Sequence, residues 1–210
     1  MKKLFIAVTL FISSLALAQM DFTSLAEAIQ KYASEDFLFT GIEVSTLKKL
    51  MGDPKKTDTM TYTLKDAQGF ESVYRVQKSV RFVQIFESKI SYWVTFAAFP
   101  TQDDVLIAMV TSAQKDSAGR GNDLEFFSLR KKQAQPSEQR QKWYSDVIAF
   151  ANGKCKVPKG DVHFELKENA KTIRISGFDI DLTGKKYTLA GELVHDGNGG
   201  WSFDPKTAKC

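Results

Sequence analysis

The chain has 210 residues, with 29 Lys and Arg against 25 Asp and Glu and a formal net charge of +4. No block of five or more like charges occurs, and the longest basic run, Arg130-Lys131-Lys132, reads as a solvated strand end, so the charge pattern points away from nucleic acid. Only two cysteines and two histidines are present, His163 and His195 being far apart in sequence, so no zinc-type ligand spacing exists; no cofactor and no metal are expected.

The first element is a leader. Met1-Lys2-Lys3 is basic, residues 4–17 are almost wholly apolar, and Ala16-Leu17-Ala18 offers small residues at a cleavage position, which together read as a secretory signal peptide spanning 1–18. Its apolar stretch is shorter than the roughly 20 residues of a spanning helix. Removing Lys2 and Lys3 with it lowers the net charge to about +2. The expected location is periplasmic or secreted, through a bacterial Sec-type signal cleaved after Ala18, with no membrane span afterwards.

Residues 21–36 read as a helix: Ser24 and Glu27 have capping-box spacing, and Leu25, Ile29 and Tyr32 form an apolar stripe. Ser45 is an N-cap, 46–51 a short helix, Gly52 a C-terminal residue able to take positive φ, and Pro54 a stop. The run Gly41-Ile42, Leu47, Met51-Gly52 and Pro54 resembles the start of the small lipoprotein subunit of the outer-membrane protein assembly machine and its relatives, which share a fold with the β-lactamase inhibitor proteins. The resemblance covers residues 41–99. It implies a short helix followed by a three-stranded antiparallel sheet, to be supplied here by 58–64, 73–86 and 89–99. The family's lipid-anchor cysteine is missing, position 43 is Glu, and no binding residue is carried over.

Residues 59–64 alternate as a strand. The densest apolar stretch is 79–111, with runs at 80–86, 90–99 and 105–111 separated by short polar or Pro-containing breaks. None of these runs has a polar face. They read as consecutive antiparallel strands covered on both sides, with helices as the cover. Residues 112–123 form a polar loop, and Gly119-Arg120-Gly121 within it lacks the Lys-Ser/Thr of a phosphate loop. A further strand is expected at 124–129.

The polar, Pro136-containing stretch 131–137 reads as a boundary. It divides an N-terminal α+β domain, 19–132, from a C-terminal unit, 137–210. That unit begins with a helix over 137–151, where Ser137 caps and Trp143, Val147 and Phe150 recur on one face, and Asn152-Gly153 ends it. A β-meander follows. Val162, Phe164 and Leu166 alternate with His163, Glu165 and Lys167. Ile173 and Ile175 share one parity while Phe178, Ile180 and Leu182 take the other, so a bulge at Gly177 is expected to return the apolar set to the core. The fold class is therefore read as α+β, with antiparallel sheets each preceded by a helix. Cys155 and Cys210 bracket the meander, and in an exported chain the pair reads as one disulfide worth roughly 3–4 kcal/mol.

Catalytic signatures are missing: no G-x-S-x-G elbow and no H-E-x-x-H. The main expectation is an exported, non-catalytic protein that binds a protein or a cell-envelope component, with its oligomeric state open. One alternative is a small metal- or carboxylate-dependent hydrolase using His163, His195 and Asp179, with the histidines on different strands at polar-face parity; Asp179 and Asp181 also make a carboxylate pair on one strand face. Another is a cavity between helix 24–34 and the sheet that holds an apolar ligand.

Overall fold

A computed structural model of the chain describes residues 58–65, 69–79, 81–88, 92–101, 105–112, 120–121, 123–128, 133–134, 137–168, 171–198 and 200–210. The expected leader, the helices at 21–36 and 46–51, and the Gly41 to Pro54 motif lie outside these residues.

The first sheet has seven antiparallel strands: β1 (Asp58–Lys65), β2 (Glu71–Ser79), β3 (Phe82–Glu87), β4 (Tyr92–Pro100), β5 (Val105–Ser112), β7 (Asp123–Ser128) and β8 (Gln133–Ala134). They lie in sequence order apart from the omitted β6 (Arg120–Gly121), so each strand pairs with its chain neighbours. The stretch 73–86, expected as one strand of the small-lipoprotein resemblance, is divided between β2 and β3, which pair with each other. All eight residues of β5 are buried, and so are 94–99 of β4. Apolar parity on both faces of these strands reflects cover on both faces, as the sequence pattern requires.

After β8 come the helix α1 (Ser137–Phe150), a π-helical turn (Ala151–Cys155), a 3₁₀ turn (Lys159–Asp161), and strands β9 (Val162–Glu165), β10 (Thr172–Ile180), β11 (Lys186–His195) and β12 (Trp201–Phe203). The second sheet runs β12-β11-β10-β9-β6 and is antiparallel throughout.

The α+β class expected from the sequence is corrected here. The chain is mostly antiparallel β, arranged in two sheets, and among the described residues the only α-helix is the 14-residue α1. The physical reason is visible in the core. One face of the first sheet, carrying Phe82, Ala97, Phe99, Leu106, Val110 and Phe126, is covered by the inner face of the second sheet together with α1, in one continuous buried cluster with Trp143, Val147, Phe164, Ile175, Leu189 and Leu193. On this face a second sheet shares with α1 the covering expected of helices. Aromatic contacts join the layers: Phe99 meets Trp201 edge-on at 4.8 Å, and Phe126 lies between Trp143 at 5.9 Å and Trp201 at 4.9 Å.

Two local expectations also change. Asn152-Gly153 does not end the helical path. The chain continues through the π-helical turn until Lys156 adopts a left-handed conformation (φ 61°), its N–H bonding the Ala151 carbonyl. This extra turn carries Cys155 to the inward side with Ala151, both buried. The polar loop 112–123 is not wholly a loop: Arg120 and Gly121 form β6, which pairs with Glu165 and Phe164 of β9. The boundary stretch expected at 131–137 contains β8, the last strand of the first sheet, and meets α1 at Ser137, while β6 sits before it in the chain but belongs to the second sheet.

Cys155 and Cys210 are bonded, their Cα atoms 4.9 Å apart, inside the range a disulfide permits. The bridge fastens the segment after α1 to the segment after β12. Beside it, Lys209 exchanges backbone hydrogen bonds with Ala190 of β11, both at 2.8 Å.

Candidate functional site

The feature with the clearest capacity to act is the outer half of the β10–β11 hairpin. The register of this pair is unbroken, from Thr172 opposite Val194 to Ile180 opposite Lys186. The bulge expected at Gly177 is therefore absent, and the apolar set is not turned inward. Gly177 has a different role. A Cβ there would lie 2.7 Å from Val157 Cγ1 and 3.3 Å from the Asp161 carbonyl oxygen, so glycine permits close approach of the segment that follows the π-helical turn.

Parity then decides what faces where. Ile173, Ile175 and Gly177 are buried against the core, and the same side continues as Asp179 and Asp181. The other side begins polar, with Arg174 and Ser176, and continues as Phe178, Ile180 and Leu182. Phe178 and Ile180 are 49% and 50% exposed, and Leu182 is fully exposed. β9 pairs with β10 only up to Gly177. Beyond that point the hairpin continues as two strands; Tyr187, opposite Asp179, still packs against the core cluster, while the outer side turns from polar to apolar with no layer over it.

The tip is well built. Leu182, Thr183 and Gly184 form a three-residue loop, with Gly184 in the left-handed position at φ 80°. Asp181 N–H donates to the Lys185 carbonyl at 3.0 Å, and Gly184 N–H to the Asp181 carbonyl at 2.9 Å. The Asp181 carboxylate accepts from the Thr183 hydroxyl at 2.5 Å, Thr183 N–H at 2.8 Å, Lys185 N–H at 3.0 Å and the Tyr187 hydroxyl at 3.0 Å. These donors, the Thr183 hydroxyl foremost, hold its carboxyl at about 2, and the same contact raises the Tyr187 phenol. The Asp181 carboxylate is thus a turn organiser. Lys185 Nζ sits 5.3 Å from the Tyr187 ring centroid, and Lys186 is opposite Ile180 on the apolar side. Asp179 caps the N–H of Ile180 at 2.7 Å.

The residues singled out for hydrolysis do not converge. His163 is opposite Ser176 on the outer face of the second sheet. His195 shares the inward parity of Leu189 and Leu193, not the polar parity expected for it, and packs against Trp201 at 4.9 Å and Phe99 at 6.2 Å. Burial lowers the pKa of its imidazole, with Asp196 opposing. Asp179 lies on the hairpin beyond β9. Among the described residues no group of three or more His, Cys, Asp or Glu could hold a metal ion.

Three other places carry polar chemistry. Tyr74 and Glu87, opposite each other on β2 and β3, are buried and hydrogen-bonded, and burial together with the Glu87 charge raises the Tyr74 phenol. His195 Nε2 and the indole nitrogens of Trp143 and Trp201 are buried in the aromatic cluster without a protein acceptor, sites suited to internal water. An open groove of about 660 Å³ beside α1 is lined by Tyr144, Ser145, Ile148, Ala149, Asn152, Gly153 and Lys159, with the Lys159 ammonium 5.6 Å over the Tyr144 ring. None of the three brings together a nucleophile, a base and an oxyanion donor. The sequence reading missed the apolar tip, although its signal was present: Phe178, Ile180 and Leu182 keep one parity straight into a turn flanked by two lysines.

The sequence matches no protein-family model and no curated protein. Among solved structures it is similar to a domain of an uncharacterized protein from Porphyromonas gingivalis W83, with a TM-score of 0.52 and 14% sequence identity over 91% of this chain and 99% of that one. The likeness is one of fold, and it extends over both sheets.

Proposed function

We propose that the protein works outside the cytoplasm as a non-catalytic binding protein of the bacterial envelope or of the secreted fraction, with the tip of the β10–β11 hairpin as its contact surface. The observation that carries this reading is the unbroken register of the hairpin, which leaves Phe178, Ile180 and Leu182 exposed side by side on a rigid projection. The Cys155–Cys210 bridge supports an oxidising compartment, and residues 1–18 supply the export signal as read above. No helix among the described residues is long and apolar enough to cross a membrane. The hydrolase alternative draws no support from the placement of His163, His195 and Asp179.

Cell fractionation of the expressed full chain, combined with maleimide labelling before and after reduction, tests the proposal. The expected result is a chain recovered with the envelope or medium, unlabelled until reduced, and partly released from the envelope by Phe178→Ser, Ile180→Ser and Leu182→Ser together. A cytosolic chain with freely labelled cysteines would sink the compartment. Unchanged partition of the triple variant would sink the hairpin as contact surface.

A further inference from the structure

We propose that the partner of the hairpin tip is an anionic phospholipid surface, into which Phe178, Ile180 and Leu182 insert while Lys186 meets the headgroup phosphates. The inference rests on the preceding reading of an exported binding protein and names its partner.

Shape favours lipid over protein. The tip is convex and narrow, two strands wide, and offers three apolar side chains, far from the roughly 800 Å² per partner that a stable protein interface buries. A bilayer imposes no such minimum, because each apolar group that enters the acyl boundary gains its own transfer free energy. Strand addition by a peptide is also disfavoured. The backbone N–H of Ile180 at the free edge of β10 is already capped by the Asp179 carboxylate, and the rigid three-residue turn ends the edge directly afterwards.

Charge placement points the same way. Leu182 is at the apex and would go deepest, with Ile180 and Phe178 behind it on the same side. Lys186 lies directly across from Ile180 on that side, whereas Lys185, opposite Asp181, is on the other side with its ammonium 5.3 Å from the Tyr187 ring centroid. Lys186 is exposed, and a long ammonium side chain of this kind reaches up to phosphates while its stem stays in contact with apolar surface. The acidic groups of the outer half of the hairpin, Asp179 and Asp181, are on the opposite parity, Asp181 being turned into the loop by four donors, and Glu192 lies farther back, opposite Arg174. The apolar side of the tip therefore carries positive charge alone.

The test uses the oxidised full chain and vesicles of phosphatidylcholine with or without phosphatidylglycerol. Sedimentation should show binding to the anionic vesicles, reduced at least about tenfold by the Phe178→Ser, Ile180→Ser, Leu182→Ser variant and roughly fivefold by Lys186→Ala. All forms share the same N-terminal stretch, so the differences belong to the hairpin. Leu182→Trp gives a direct reading: its added emission should shift to the blue and be quenched by brominated acyl chains. Equal sedimentation of every variant, with no quenching of the added tryptophan, overturns the proposal. Envelope association that depends on the hairpin in cells, without vesicle binding, overturns the lipid partner in favour of a protein and leaves the broader function standing. A dimer in solution that the triple serine variant abolishes, again without vesicle binding, overturns it in favour of a second copy.

Discussion

Two hairpins in this molecule have similar lengths and opposite fates. In β4–β5 the turn lies at the end of strands that are buried on both faces, with 94–99 and the whole of β5 out of solvent. In β10–β11 one face lies on the core, through Leu193, Leu189 and the partly buried Tyr187, and the other faces water. The first pair is apolar or small on both faces, whereas the outer face of the second begins with Arg174, Ser176 and Glu192 and turns apolar only at Phe178 and Ile180. What differs at those last residues is that no second layer lies over them, so residue types that make core in one hairpin make an exposed apolar surface in the other. Apolar content tells where a strand can be buried. Neighbouring layers decide whether it is.

The comparison is broken most severely by truncation in the first hairpin. Phe96 is fully buried opposite Met109, and Phe96→Ala should cost about 3–5 kcal/mol, measured by urea unfolding of the oxidised protein. A loss below about 1 kcal/mol would mean that the far face of the sheet is loosely covered.

Removing the disulfide comes next. The bridge spans a sequence separation of 55 residues, and Cys155→Ala with Cys210→Ala should lower stability by about 3–4 kcal/mol. Because the buried cluster runs through both sheets and α1, we expect a single transition to move as a whole. Two separated transitions, with the first sheet unaffected, would instead establish residues 137–210 as an independent unit.

A smaller, pH-dependent effect comes from His195, at the inner end of β11. Burial places its folded pKa below the ordinary 6.5, so its contribution is fully present above that value and is lost as pH falls through it. The melting temperature should drop between about pH 7 and 5, and His195→Gln should remove that part of the slope. An NMR titration giving an imidazole pKa above 6.5 would reverse the sign. Asp181, held at about 2 against 3.8, acts at lower pH: its contribution is present above 3.8 and disappears as pH falls towards 2.

The smallest stability effect belongs to the exposed tip. Phe178→Ser should change the unfolding free energy by no more than about 0.5 kcal/mol, and a drop above about 2 kcal/mol would show that the side chain is buried after all. The contrast with Phe96 is the comparison in its sharpest form: the same residue type in two hairpins, one holding the fold together and the other free for contact.

Much of the first sheet was legible, because Val94, Phe96 and Ala98 alternate with other apolar or small residues and leave no wet face to misplace. The helix α1 was legible from Trp143 and Val147, one turn apart. The cysteine pair was legible from compartment and bracketing. The class was not, since apolar strands declare that something covers them without declaring what, and here a second sheet together with α1 covers one face. The parity change at Gly177 was seen and given the wrong cause. A bulge is the natural repair for a strand whose apolar residues are all assumed to be core, whereas here Phe178, Ile180 and Leu182 stay on the outer face. β6 was invisible because two residues, Arg120 and Gly121, have no period to read.

That short strand has a consequence for the order of assembly. Arg120 and Gly121 belong to the connection between β5 and β7, yet their ladder partners lie in β9, beyond α1 in the chain. A Cβ at Gly121 would overlap the Thr111 carbonyl, so the two layers are stitched together where the backbone passes closest. A chain made amino end first presents β5, β6 and β7 well before β9. In that interval the first sheet has its own hydrogen bonds, but β6 has no ladder and the face bearing Phe99, Leu106 and Phe126 has no cover. The half-delivered protein is an aggregation-prone species by construction, and arrival of the meander ends that exposure.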